Sequence, residues 1–430
     1  MPHVMPHLCY VSATDPSATQ PSLTAALRHA NAGDTIVVGP GLYSPTSTQE
    51  TFPLYVPPGV TLLGAGREVC TIDGEGALEV SFRPVLEGQS LLVLGDGSSV
   101  SGFTVTRSGG NGLSNQPGAR VQMRENTIQQ HGQHGILLSG PEEAIVQDNL
   151  FLDNGTKAYQ PVTPRPAAAR QGHHIFVQGK GGAANRMLIS HNTMSRAFAD
   201  GIAVVVFFDE PDGVQMQVRV VHNTIEQSQR RGLTIAGSFG SCHNRVAIDA
   251  SHNTIRNNAA LAIGAQAARP LVTQMLRDNR LRLRVIGNQC HDNGGGVMLY
   301  GGFGPAEENW LDATVVHNHF TGPARHALSL FGGVGFGGYE ARRNRVTAVI
   351  SHNRIADVEE EPIFLQGGVG EGDEEVPGNT VLAQVGAHEL TPQADRPLVL
   401  LNDGTPGNRV TLEEPQPAYR RVSEIIPYAS

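Results

Sequence analysis

V-H-N-T-I-E-Q-S-Q-R-R-G-L-T-I, residues 221–235, contains both strands of the unit from which most of the chain is built. Its first five residues return as R-E-N-T-I, Q-D-N-L-F and S-H-N-T-M around Asn126, Asn149 and Asn192. They return again as S-H-N-T-I, I-G-N-Q-C, V-H-N-H-F and S-H-N-R-I around Asn253, Asn288, Asn318 and Asn353. Counting Asn223, successive asparagines stand 23, 43, 31, 30, 35, 30 and 35 residues apart, a fixed frame with loops of variable length. A repeat of this size made of strands predicts an all-β solenoid.

The last five residues, R-G-L-T-I (231–235), recur as H-G-I-L-L (134–138), D-G-I-A-V (200–204), H-A-L-S-L (326–330) and E-P-I-F-L (361–365). H-H-I-F-V (173–177) fits after an insertion. Strands alternate sides, so Ile136, Ile175, Ile202, Leu233, Leu328 and Ile363 should stack inward, as should the residue two places after each. A buried asparagine at one turn of every coil can donate and accept along the stack, which makes the asparagine repeat a ladder. The histidine before it (His191, His222, His252, His317, His352) recurs with the frame and reads as a turn residue.

Composition fits stacked coils: 51 glycines, and only 5% aromatic residues. A net charge of −9 argues against a broad nucleic-acid surface. Cys9, Cys70, Cys242 and Cys290 follow no metal spacing and read as free thiols. Neither a signal peptide nor an apolar run of membrane length is visible, so the expected setting is cytoplasmic unless a leader has been removed. Residues 20–32 read as an amphipathic helix, N-capped by Ser22, that closes one end of a single domain spanning 15–410. Residues 1–14 read as an extension and 411–430 as a tail.

T-A-A-L-R-H-A-N-A-G-D-T-I-V-V-G-P-G-L-Y (24–43), V-P-P-G-V-T-L-L-G-A-G (56–66) and the H-N-T-I repeats carry a family likeness. The chain resembles the right-handed parallel β-helix proteins of the pectate-lyase-like superfamily, of the domain-of-unknown-function 1565 type. That implies a right-handed parallel β-helix with a short N-terminal capping helix. The superfamily spans lyases, glycosidases, epimerases and adhesins, so it fixes no activity. D-P-H-D, W-I-D-H and the G-H-G plus R-I-K pair of its better-known enzymes are missing, and no catalytic residue carries over.

Chemistry has to be read down the columns, because neighbouring coils lie about 4.8 Å apart. Eight residues after the asparagine the column reads His134, His174 through the insertion, Asp200 and Arg231, then Leu261, Gly296, His326 and Glu361. The first four would supply a base, an orienting carboxylate and a cationic clamp for β-elimination or epimerisation at a uronate. Tyr159 and Arg170 in the insertion, with Phe176, Gln178, Gln266, Tyr300, Phe331 and Tyr339, are the expected substrate contacts. Trp310 is a further candidate beside the glycine-rich loops 301–310 and 332–344.

No cofactor or metal is expected; the acidic loop 370–375 lacks a calcium-binding frame. The partner would be a carbohydrate or a small-molecule substrate, with no nucleic acid or membrane. An exposed apolar strand face would also permit oligomers. A carbohydrate-active lyase or epimerase is the leading reading. The alternatives are an isomerase, lyase or cyclase of a small hydrophobic metabolite, and a noncatalytic glycan-binding scaffold.

Overall fold

The computed structural model describes residues 7–78, 90–155, 172–207, 211–270, 274–322, 324–335, 338–370, 376–391, 399–404, 407–413 and 419–422. The chain falls into two compact units, Met1–Gln178 with Ala183–Ala203, and Gly179–Gly182 with Val204–Ser430. Each is a stack of right-handed β-coils, every strand pairing in parallel with its counterpart one coil away.

A typical coil in the first unit runs Arg120–Arg124, Thr127–Gln129 and Ile136–Ser139, one strand in each of three sheets, here called A, B and C. Its counterpart in the second unit runs Gln215–Val221, Thr224–Glu226 and Leu233–Ala236. Parallel pairing also takes in Leu8–Val11 and Tyr419–Val422, within the stretches expected as extension and tail. The helix is shorter than expected, Leu23–His29. Ser22 caps it by accepting from Ala25 N–H, and Glu50 accepts from Leu23 and Thr24 N–H. Among the described residues no helix is long and apolar enough to cross a membrane.

Sheets A and C differ in what covers them. In sheet A, Arg280–Ile286 alternates exposed arginines with buried Leu281, Leu283 and Val285, so its outer side faces water. The column Arg219, Asp249, Arg284 lies there in register, as expected. Trp310 also starts a sheet A strand, with the Arg280 guanidinium 4.3 Å from its ring, rather than standing beside the sheet C loops. Sheet C strands such as Ile175–Gly179, Leu328–Val334 and Ile363–Val369 are buried on both sides. Parallel strands covered on both faces read as continuous apolar runs, which I-F-V (175–177) and I-A-V-V-V (202–206) do. The inward rows fall as expected: Ile136, Ile175, Ile202, Leu233, Leu328 and Ile363 are all fully buried.

Three amide ladders hold the turns. At the first turn Asn126 donates its backbone N–H and side-chain amide to Asn149 Oδ1, and Asn149 does the same to Asn192. In the second unit Asn223, Asn253, Asn288, Asn318 and Asn353 repeat the pattern. The preceding residue adopts positive φ, 54–57° at the five histidines, which confirms their turn role. His222 stacks on His252 and His317 on His352, all at the surface.

A second ladder links Asn258 to Asn293, and its counterpart in the first unit uses His131 and Asn154. A third runs Asn244, Asn279, Asn309, Asn344, Asn379 to Asn408. Against it press Gly302, Gly333 and Gly368, where an added Cβ would lie 2.5–2.7 Å from the amides of Asn344, Asn379 and Asn408. The glycine-rich stretches thus give the third ladder its room.

Asn253→Ala would strand the Asn223 N–H inside the turn and should cost about 1–3 kcal/mol, whereas surface His252→Ala should stay within about 0.5 kcal/mol. Gly333→Ala should cost about 1–3 kcal/mol through overpacking. Denaturant midpoints of the three variants measure the contrast.

Candidate functional site

Sheet C's outer face carries the expected site residues, and in the first unit its register joins them differently. Ile136 pairs with Ile175 and Leu137 with Phe176, so His134 answers to His173 rather than His174. The rings of His134 and His173 lie 5.2 Å apart, and Phe176 stacks on both, at 4.7 and 5.4 Å. Asp200 follows, with Oδ2 at 3.5 Å from His173 Nδ1.

Backbone donors tie the string together. His134 N–H donates to Asn111 Oδ1 (3.1 Å), His173 N–H to His134 Nδ1 (3.3 Å), and Asp200 N–H to His173 Nδ1 (3.2 Å). An imidazole that accepts at Nδ1 while neutral carries its proton on Nε2. Burial, and secondarily the neighbouring His173, hold His134 well below the usual histidine range. His134 is therefore a neutral donor at physiological pH, not the ready base that its place in the column suggested. Beside this string, Ser114 and Ser139 are each 1% exposed, and their hydroxyls have no partner among the described residues. Gln178 is buried on the same face.

His174 turns the other way, which corrects its place among the catalytic candidates. It is fully buried, meets Asn154 Nδ2 at 2.9 Å and tilts against Phe151, and burial pushes its pKa down to about 3. The insertion between Asn154 and His173 breaks the fixed offset from Asn149. Stepping back two places from inward Ile175 leads to His173, just as it leads from Ile136 to His134. In the later column Leu261 pairs with Gly295, not Gly296, because that coil has one residue fewer between Asn288 and inward Val297.

In the second unit Arg231 lies over Gly264, whose added Cβ would stand 3.2–3.3 Å from its guanidinium end. Gln266, Tyr300, Phe331 and Gln366 form one row, in register on successive strands. Tyr300, Phe331 and Phe364 pack together with Val334 and Val369 and are only 3–4% exposed. The apolar face expected to stand open to a second subunit is therefore covered. Tyr339 is exposed, while Tyr159 and Arg170 lie outside the described residues, as does most of the 370–375 loop. Two of the cysteines, Cys70 and Cys290, are buried, and all four are free.

These coils define a right-handed parallel β-helix. Residues 89–274 match the family model described as right handed beta helix region, and residues 13–156 match that of a protein of unknown function, DUF1565. No curated protein matches the sequence. Among solved structures, the A-module of mannuronan C-5 epimerase AlgE6 from Azotobacter vinelandii is 13% identical, with 94% of each chain covered and a TM-score of 0.39. An alginate lyase from Paenibacillus sp. str. FPU-7 is 12% identical over 91% of this chain and 98% of its own, TM-score 0.36. PfbA, a surface adhesin of Streptococcus pneumoniae, is 10% identical over 92% and 88%, TM-score 0.46. Likenesses this distant do not extend to chemistry.

His131 and His174 are buried neutral, their pKa values lowered from 6.5 to about 3. In that window the unfolded chain binds more protons than the folded one. Stability should therefore be full above about pH 6.5 and fall steadily towards about pH 3. His131→Asn, which puts the ladder's own residue at that turn, should flatten the slope in acid titrations followed by circular dichroism.

Proposed function

We propose that the protein is a carbohydrate-active lyase or epimerase whose reacting group lies against the His134–His173–Asp200 string. The observation that carries this reading is a buried carboxylate beside two stacked imidazoles, on a face with two unpartnered serine hydroxyls. Such hydroxyls suit a ligand rich in oxygen atoms.

The step it supports is removal of the proton next to a sugar carboxyl group. Asp200 takes that proton, and the pair of electrons from the broken C–H bond delocalises into the carboxyl. Nε2–H of neutral His134, with that of His173 beside it, donates to the oxygen on which charge develops, a role neutral imidazole can fill. Expulsion of the neighbouring glycosidic oxygen, which takes up the proton held by Asp200, completes elimination; return of a proton from water to the opposite side of the ring completes epimerisation, Asp200 releasing its own proton to solvent. Arg231, in the second unit, is given no part in this step.

A noncatalytic glycan-binding role is favoured by one feature, the engagement of both Nδ1 atoms by backbone donors. Alginate and polygalacturonate separate the two readings: elimination shows as ultraviolet absorbance of unsaturated products, and epimerisation as deuterium uptake from heavy water. Wild type should turn over at least one of them, and Asp200→Asn should lower kcat/KM about 10²-fold or more without loss of folding. Unchanged turnover in Asp200→Asn, or no reaction with either polymer, would rule out the catalytic reading.

A further inference from the structure

On sheet C of the second unit, Gln266 and Gln366 are 4% and 1% exposed, and the Nε2 of each has no partner among the described residues. Thr234, 7% exposed, holds an equally unpartnered hydroxyl one coil before Gln266. Buried polar groups are almost always met by a partner, so two amide donors and a hydroxyl left over on one face call for an explanation. Between the glutamines stand Tyr300 and Phe331, rings 5.2 Å apart and inclined by only 16°. Three rungs separate the two amides, a span of roughly 14 Å.

We infer that this row is a second, noncatalytic sugar-binding site. Every unmet polar group on it is an uncharged donor, and the surface between them is aromatic. A sugar ring matches both features, since its C–H groups pack against aromatic rings and its hydroxyl and ring oxygens accept. The 14 Å span calls for a short oligosaccharide rather than a single ring.

Phe303 closes the site. Its half-buried ring stands edge-on to Tyr300 at 5.9 Å, and it sits in G-G-F-G, between Gly302 and Gly304, whose φ is +67°. Swinging this ring outward would uncover Tyr300 without disturbing the paired strands.

Calorimetric titration of the full-length protein with cellotriose and with trigalacturonate tests the site and distinguishes neutral from acidic sugars. Wild type should bind at least one of them. Gln266→Met and Gln366→Met remove the donors but keep the volume, and should weaken binding at least tenfold while leaving Tm unchanged or raised. An amide with a purely structural role would instead lower Tm. Phe303→Ala should bind at least as tightly as wild type. The site is independent of the acid–base reading, and cellotriose, which has no carboxyl group for that step, reports on it alone. Failure of wild type to bind either trisaccharide, or unchanged affinity in both methionine variants, would overturn it.

Discussion

A buried amide side chain has two donors and an acceptor to satisfy, and stacking coils solves this only when every coil places an amide at the same turn. Asn253 shows the arrangement: its Oδ1 accepts from the N–H and side-chain amide of Asn223, while its own amide reaches Val220 O and Asn288 Oδ1. A coil displaced by one residue would strand all of these groups at once and turn its apolar row outward. Register is thereby fixed within each unit, and with it which distant side chains become neighbours.

That constraint explains why residues as far apart as Asn111 and Asp200 form one string. His134, His173 and Asp200 each stand two residues before the sheet C strand of their coil, and each donates its N–H to the side chain of the preceding member. The string is a ladder in miniature, with imidazoles where the turns use asparagine. Its consequence is electrostatic: burial favours neutral imidazole, and the backbone donor to Nδ1 selects the Nε2 proton. Under the proposed function the acid–base step falls to Asp200, with the histidines as donors.

Fold and core were legible because they repeat. The first asparagine ladder, the inward rows and the His turn residues all recur at fixed offsets from Asn-Thr-Ile or its variants. The other two ladders left a fainter trace, as in H-N-R-V (243–246), D-N-R-L (278–281) and R-N-R-V (343–346), where asparagine follows a changing turn residue. The site was partly legible. Asp200 and His134 could be placed by counting from the inward isoleucines, but the insertion between Asn154 and His173 broke the count and exchanged His173 for His174. Burial of sheet C's outer face was foreshadowed by its lack of alternation. What covers the Tyr300–Phe331 row, however, comes from Phe303, Val334 and Val369, whose approach no periodicity encodes.

The most direct test of this account is the tautomer and protonation state of His134, read by nitrogen-15 NMR on selectively labelled histidine. In-register coils predict a neutral ring with its proton on Nε2, unchanged as the pH is lowered through the ordinary histidine value of 6.5. A ring that titrates near its ordinary value of 6.5, or carries its proton on Nδ1, would contradict the string and the register beneath it.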